Sequence, residues 1–207
     1  MFTGLVEAVG TIESTGWEAD GSTLRLWIAA SPPLELKLGD SIAVDGVCLT
    51  AVEVESERFA VQCSPTTLAL TTLGQMAVGT PVNLERSVTP STRLGGHIVL
   101  GHVDAVGTVE ALKATGLATE LYLAHPPEFS RWVVDKGSVA VNGVSLTVVD
   151  KQPGRLHITV IPHTAQATNL GRLRAGSRVN LEFDVLAKYV AELLAPYLPQ
   201  APASSET

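Results

Sequence analysis

The stretch "AVDGVCLT" at residues 43–50 returns as "AVNGVSLT" at residues 140–147, an offset of 97 positions. Asp45-Gly46 and Asn142-Gly143 interrupt the apolar runs of the two copies. Asp-Gly and Asn-Gly are typical of two-residue β-hairpins, because a type I′ turn needs a positive φ at both central residues. The phrase therefore predicts a β-hairpin in each copy.

Side chains on the strand that follows each turn should alternate between two faces. Leu49 then points to one side of the strand, and Cys48 and Thr50 point to the other. The second copy keeps this arrangement with Ser145 and Thr147. We therefore expect a small polar pair on the face opposite the leucine in both copies.

Three further blocks repeat at the same offset of 97 residues. They pair residues 4–13 with 101–110, residues 65–74 with 162–171, and residues 79–85 with 176–182. The first of these, "GLVEAVGTIE" against "GHVDAVGTVE", has seven identities in ten. A constant register across four blocks indicates a gene duplication, and a unit of about 90 residues is the size of a domain.

Each unit is rich in short Val, Leu, Ile and Thr runs between Gly, Pro, Asn and Asp, which favours a small closed barrel or a sandwich. The last segment is the one convincing helix, because residues 185–197 place apolar side chains on one stripe, after Asp184 as a candidate N-cap. This helix either packs on its own barrel or associates with copies of itself from other chains.

Composition excludes several classes of function. The 207-residue chain carries a net charge of −7 with no long basic run, which disfavours nucleic-acid binding. No apolar run is long enough to cross a membrane, and the N-terminal residues do not resemble a signal peptide. Two cysteines do not form a disulfide framework. We expect a cytoplasmic protein without a membrane or nucleic-acid partner.

Few of the common catalytic patterns are present. The sequence has no Walker phosphate loop, and no G-x-S-x-G pattern surrounds Ser145. His97 and His102, taken as neighbours on one strand, would face opposite sides, so we expect no metal site. The candidate chemistry lies in the differences between the units, where Leu5 corresponds to His102 and Cys48 to Ser145.

Several motifs in this order are similar to those of the riboflavin synthase family. They are "MFTGLVE", "GVCLT", "NLERS", "GGHIVLGHVD", "GVSLTV", "IPHT" followed by "TNLG", and "VNLEFDVLAKYV". The resemblance implies an all-β fold of two tandem six-stranded Greek-key barrels, like the flavin reductase barrel, with a C-terminal amphipathic α-helix. It implies an N-terminal lumazine-binding barrel at residues 1–92, a second at residues 98–184, a trimerisation helix at residues 185–198 and a flexible tail at residues 199–207.

The resemblance also implies the reaction. The family converts two molecules of 6,7-dimethyl-8-ribityllumazine into riboflavin and 5-amino-6-(ribitylamino)uracil by transfer of a four-carbon unit, without a cofactor or a metal. Each active site would hold two lumazines, between the N-terminal barrel of one subunit of a homotrimer and the C-terminal barrel of its neighbour. Association with a lumazine synthase capsid is a further implied partner.

By the same resemblance, Cys48, His102 and Ser145 are candidates for proton transfer and nucleophile activation. The candidate contacts of the first barrel are Phe2, Gly4, Leu5, Val6, Cys48, Leu49, Thr50, Gln62, Cys63, Ser64, Pro65, Thr66 and Thr67. Those of the second barrel are Gly101, His102, Val103, Lys136, Ser145, Leu146, Thr147, Ile161, Pro162, His163, Thr164, Ala165, Gln166 and Asp184.

The chain departs from the family pattern at four positions, where Leu100 replaces a frequent Ser, Thr66 and His163 replace other polar residues, and Leu5 replaces Ile. Two other functions stay open at this point. One is a lumazine or flavin carrier without catalysis, which would tend to lose the cysteine, the histidine and the helix. The other is a purely structural double barrel, against which the polar pairs of both units argue.

Overall fold

The computed structural model describes residues 1–197, which form two closed barrels of six antiparallel strands each. The first barrel contains β1 (Ala8–Trp17), β2 (Leu24–Ala30), β3 (Ser41–Val44), β4 (Val47–Val54), β5 (Arg58–Cys63) and β6 (Pro81–Arg86). The second contains β7 (Ala105–Thr115), β8 (Ala118–Ala124), β9 (Ser138–Val141), β10 (Val144–Gln152), β11 (Arg155–Val160) and β12 (Arg178–Phe183).

Both barrels have the same strand order. Neighbours run β1-β2-β5-β4-β3-β6 in the first and, in the same sense, β7-β8-β11-β10-β9-β12 in the second. The hairpins β3–β4 and β9–β10 turn at Asp45-Gly46 and Asn142-Gly143, all with positive φ. The predicted all-β fold of two tandem six-stranded barrels is confirmed.

The barrel cores follow the predicted alternation. Leu24, Leu26 and Ile28 of β2 are buried and alternate with half-buried neighbours. On β4, Leu49 is buried in the core whereas Thr50 is exposed. The interiors are therefore filled with side chains, and a ligand has to bind on the outer surface of each barrel or at its ends.

Two short helices were not expected from the sequence. Helix α1 (Pro65–Leu70) follows β5, and helix α2 (Pro162–Ala167) follows β11. A proline occupies the first turn of each, and the Ser64 side chain caps α1 by accepting from the Thr67 N–H at 3.2 Å. The prediction that the last segment is the one helix is wrong. The Ser-Pro pair at the start of α1 is a recognised helix-start signal that could have indicated it.

The predicted C-terminal helix is present as α3 (Val185–Leu194), followed by a 3₁₀ turn at Ala195–Tyr197. Asp184 caps it, because its side chain accepts from the Leu186 N–H at 2.9 Å. Residue 198 and the predicted tail at 199–207 lie outside the described residues. No helix within residues 1–197 is long and apolar enough to span a membrane.

The apolar stripe of α3 is not covered by its own barrel. Tyr189 is 66% exposed and Leu193 is 70% exposed, and Leu186, Val190 and Leu194 are exposed too. An uncovered apolar stripe on a helix favours a protein partner. Of the two alternatives left open by the sequence, association with another chain is the better supported.

The barrels meet through a buried polar junction, which we define as Asp45, Asn83, Asn142, Asn169 and Asn180. The Asn83 amide donates to the Asn142 carbonyl at 2.9 Å, and the Asn180 amide donates to the Asp45 carbonyl at 2.9 Å. These two bonds are equivalent under the 97-residue repeat. The junction therefore places the barrels in an approximately two-fold arrangement.

The two hairpin turns touch at this junction. A Cβ atom added to Gly46 would lie 2.6 Å from the Gly143 nitrogen, and one added to Gly143 would lie 2.7 Å from the Gly46 nitrogen. Such distances leave no room for a side chain. The repeated glycine is thus required by the contact between barrels as well as by the turn.

Candidate lumazine sites formed by both barrels

Each candidate site is built from both barrels. The Gly4 carbonyl accepts from the Ser145 N–H at 2.8 Å, and the Gly101 carbonyl accepts from the Cys48 N–H at 2.9 Å. Val103 accordingly packs against the core of the first barrel. The expected grouping by barrel is wrong for these two loops: the loop at 4–6 lies against the second barrel, and the loop at 101–103 against the first.

The exchange of loops depends on two glycines. Gly4 and Gly101 both have a φ of +78°, and a Cβ atom there would lie 2.5 Å from the Cβ of Ser145 and of Cys48, respectively. Hence each loop runs directly across one of the residues that differ between the repeats. We define two half-sites from these contacts. The Cys48 half-site consists of Cys48 and the loop at 101–103, and the Ser145 half-site consists of Ser145 and the loop at 4–6.

Two buried glutamates hold these loops. The Glu85 carboxylate at the end of β6 accepts from the Thr3 N–H at 2.7 Å, the Thr3 hydroxyl at 2.8 Å and the Gly4 N–H at 3.0 Å. Glu182 on β12 accepts from the Leu100 N–H at 2.6 Å and the Gly101 N–H at 2.8 Å. Burial raises the pKa of both carboxyl groups.

Sequence reasoning missed both glutamates, although the repeated "VNLE" contained them. Their role comes from the loops that they bind, which are about 80 residues away in the chain. A repeated, buried, charged residue at the end of a strand was the available signal, because a buried carboxylate needs hydrogen-bond donors.

His97 is the third residue whose role was missed. The expectation that His97 and His102 share a strand is wrong, because residues 97–102 contain only one isolated bridge, at Val99. His97 is buried, and its Nδ1 lies 2.6 Å from the Ser145 hydroxyl oxygen, while its buried Nε2 has no hydrogen-bond partner among the described residues.

The electrostatics of His97 favour its neutral form. Burial lowers the pKa of the imidazole, and the nearby charge of Asp184 opposes that effect. A neutral imidazole next to a hydroxyl can accept or return its proton, which depends on the tautomer. The Ser145 half-site therefore contains a hydroxyl–imidazole pair.

The Cys48 half-site has a different composition. His102 is exposed there, Cys48 is half-buried, and the Thr50 hydroxyl side chain is exposed on the same strand face as Cys48. A thiol and an accessible imidazole thus occupy the positions that a hydroxyl and Leu5 occupy in the other half-site. The two half-sites cannot treat a bound molecule equally.

Other candidate contacts surround these centres. Along residues 1–197, the exposed candidates are Leu5, Gln62, Ser64, Pro65, Thr66, Lys136, Thr147, Ile161, Pro162, His163 and Gln166. The half-buried ones are Val6, Thr67, Val103, Leu146, Thr164, Ala165 and Asp184. Because most of these side chains face the outside of the barrels, each half-site is open on one side.

Three candidates point away from the surface. Phe2 is fully buried in a small cluster with Val99 and the half-buried Cys48. Leu49 and Cys63 face the core of the first barrel, and burial raises the pKa of the Cys63 thiol to about 12. Contacts of Leu49 and Cys63 with a ligand would therefore involve their backbone atoms, and the Cys63 thiol is not a nucleophile.

Lys136 has an unusual backbone conformation. Its φ is +63°, and the equivalent residue of the first unit is Gly39, with a φ of +89°. A non-glycine residue in this region is strained and is found more often where a side chain is needed. The exposed Lys136 side chain therefore has no counterpart in the first unit.

The half-sites offer thiol, hydroxyl, imidazole and backbone groups at barrel ends. This combination suits a flat neutral ring with carbonyl groups and a hydroxylated chain. Within residues 1–197, no group of three or more His, Cys, Asp or Glu residues is arranged to hold a metal ion.

The fold is that of a protein with two tandem lumazine-binding domains. The family model described as "Lumazine binding domain" matches twice, at residues 3–87 and 100–184. Among solved structures, LumP complexed with riboflavin matches with a TM-score of 0.81 and 25% identity, over 88% of this chain and 99% of that one. LumP complexed with 6,7-dimethyl-8-(1'-D-ribityl) lumazine matches with a TM-score of 0.78.

Curated relatives show which lumazine-binding family the chain resembles. Riboflavin synthase from Mycobacterium tuberculosis is 43% identical over 94% of this chain and 98% of that protein. The enzyme from Bacillus subtilis is 39% identical over 94% and 90%, and that from Photobacterium phosphoreum is 38% identical over 97% and 92%. The chain belongs to the riboflavin synthase family.

Proposed function

We propose that the chain catalyses the riboflavin synthase reaction. One molecule of 6,7-dimethyl-8-ribityllumazine transfers a four-carbon unit to a second, which gives riboflavin from the acceptor and 5-amino-6-(ribitylamino)uracil from the donor, the last step of riboflavin biosynthesis. The observation that carries the proposal is the pair of half-sites related by the repeat but unequal at Cys48/Ser145 and His102/Leu5. A reaction between two identical molecules needs such unequal sites, because one gives carbon and the other receives it.

The chemistry needs no cofactor in this proposal. The C7 methyl group of the lumazine is acidic because its carbanion is delocalised into the ring, so a weak base is sufficient to remove the proton. We assign proton transfer to His102 and to the His97–Ser145 pair, and nucleophile activation at the acceptor to Cys48 and Ser145; the short contact between His97 and Ser145 supports this assignment. Holding two reactants in the correct relative orientation can lower the activation free energy by roughly 7–11 kcal/mol.

The proposed active site requires two subunits. Both half-sites are open on the barrel surface, and the apolar stripe of α3 is exposed. We propose that the chain forms a homotrimer through α3, in which the Cys48 half-site of one subunit faces the Ser145 half-site of its neighbour. A cytoplasmic location is supported by the two free thiols, and association with a lumazine synthase capsid is a further proposed interaction.

The direct test is incubation of the purified chain with 6,7-dimethyl-8-ribityllumazine alone, with separation of the products by chromatography. Riboflavin and 5-amino-6-(ribitylamino)uracil should appear in equal amounts, with two lumazines consumed for each riboflavin formed. Treatment with a chelator should leave the rate unchanged. A ratio other than two lumazines per riboflavin would contradict a dismutation.

A lumazine or flavin carrier is the second candidate, favoured by the similarity to LumP complexes with these ligands. The presence of Cys48, of His102 and of α3 with its exposed stripe argues against it. Tight binding of the lumazine without riboflavin formation would support the carrier. Absence of both binding and turnover would support a structural role.

A further inference from the structure

One ion pair joins the C-terminal helix to the loop that contains His102. Asp104 lies two residues after His102, and its carboxylate accepts from the Phe183 N–H at 2.8 Å and from the Lys188 ammonium group at 2.6 Å. The Lys188 and Asp104 side chains are only 20% and 14% exposed. The pair is therefore shielded from solvent more than an ordinary surface ion pair.

In the first barrel, the carboxylate equivalent to Asp104 pairs with a cation from its own barrel and not from a helix. Glu7, the equivalent of Asp104, accepts from the Arg86 N–H at 3.0 Å and from the Arg86 side chain at 2.8 Å. The equivalent of Arg86 is Phe183, which is buried and carries no charge. In the second barrel the cation has to come from elsewhere, and α3 supplies it.

The charge of Lys188 also acts on the neighbouring glutamate, Glu182. Glu85 in the first unit has three donors, because Thr3 contributes its hydroxyl as well as its N–H. Glu182 has two, because Leu100 stands at the position of Thr3. Burial raises the pKa of Glu182 and the charge of Asp104 adds to this, whereas Lys188 and the two N–H groups oppose it.

We propose that Lys188 is a positioning residue for His102, which acts through Asp104 and Glu182 and so connects the helix α3 to the Cys48 half-site. The inference rests on the proposed function, since it assigns a role within that active site. Without the Lys188 charge, the Asp104 carboxylate loses its ion-pair partner, and Glu182 loses a cation that favours its charged form. The loop then loses its fixed position over Cys48, although no group that touches the substrate has changed.

The proposal predicts that changes at Lys188 and at Asp104 lower turnover through the same interaction. Lys188→Met and Asp104→Asn should each lower kcat about tenfold with little change in lumazine affinity, and the double variant should be no worse than either single one. Lys188→Arg should retain most of the turnover. Lys113→Met, which removes the same charge from an exposed position on β7, serves as the control and should be neutral.

The pH profile adds a readout that a purely structural role would not move. In Lys188→Met the Glu182 carboxyl should protonate at higher pH, because Asp104 remains and the opposing cation is gone. A protonated carboxyl loses acceptor capacity for the Leu100 and Gly101 N–H groups. In the plot of kcat against pH, the decline on the acid side should therefore shift to higher pH in Lys188→Met. In Lys113→Met this decline should lie at the same pH as in the unmodified chain.

Hydrogen exchange separates this inference from the proposed function. Amides at 100–104 should exchange faster in Lys188→Met, and those at 3–7 should not change, whether or not the chain makes riboflavin. Unchanged exchange at 100–104, additive losses in the double variant, or an unshifted decline of kcat on the acid side would each overturn the role of Lys188. A loss of turnover in Lys188→Met that is absent from Asp104→Asn would also overturn the role of Lys188. Light scattering on every variant checks that the mass of the assembly is retained.

Discussion

At the scale of single residues, the unequal positions of the repeat carry the proposed chemistry. Cys48 and Ser145 occupy equivalent places on β4 and β10, and each donates its N–H to a glycine carbonyl from the opposite barrel. The difference between Cys48 and Ser145 could be identified from the sequence. His97 was not, because its relation to Ser145 arises from an irregular segment 48 positions away.

His102→Gln should lower kcat by about 10²–10⁴-fold if the imidazole transfers protons. Lumazine affinity, measured by fluorescence titration, should change much less, because glutamine keeps polar groups at the loop. His157→Gln is a suitable control, since His157 pairs with Glu120 on the outer surface of the second barrel. Equal losses in affinity and turnover for His102→Gln would mean that His102 only holds the ligand.

At the scale of elements, α3 presents an apolar stripe that nothing in the described chain covers. The sequence predicted the helix, its cap at Asp184 and its stripe. It left two partners open, since an amphipathic pattern indicates a buried face and not what buries it. The short helices α1 and α2 escaped prediction, because six residues are too few to show a helical period.

Leu193→Glu should convert the proposed trimer to monomers, since a charge would replace an apolar side chain in the contact. The barrels should remain folded, because Leu193 is 70% exposed in the single chain. Light scattering gives the mass, and Leu117→Glu, at a position that is 91% exposed on the β7–β8 turn, should leave it unchanged. A trimer that persists in Leu193→Glu, and after deletion from Val185 onward, would rule out α3 as the contact.

At the scale of the whole molecule, the polar junction determines how the two units face each other. Asp45 is fully buried there, and its carboxylate accepts from the Asn83 N–H at 2.7 Å and from the Asn169 side chain at 2.8 Å. Burial raises its pKa to about 7, more than these two hydrogen bonds can offset. The equivalent residue of the second unit, Asn142, carries no charge.

Because the pKa of Asp45 is higher in the folded chain than in the unfolded one, its protonated form favours folding. That contribution is complete below about pH 4 and is lost as the pH rises to about 7. Asp45→Asn should remove this dependence, since an amide keeps the acceptor oxygen. Relative to the unmodified chain, the free energy of unfolding of the variant should increase over this interval by at most about 4 kcal/mol.

Urea unfolding from pH 4 to pH 8 measures this difference. Asp40→Asn, at a half-buried position in the turn before β3, is the matched control for the loss of one carboxyl group. A constant difference between Asp45→Asn and the unmodified chain across the interval would show that Asp45 is ionised throughout.

The sequence by itself determined the duplication, the hairpin turns and the helix cap, because each follows from local spacing or local backbone geometry. Its β-rich units were compatible with either a barrel or a sandwich, and the two barrels were indicated by the family resemblance. The family resemblance further indicated the residues that surround the sites. Only the tertiary structure decided that the loops at 4–6 and 101–103 cross to the opposite barrel, held by Glu85 and Glu182. Two similar barrels offer nearly the same partners to either loop, and the junction that places them side by side joins residues up to 135 positions apart.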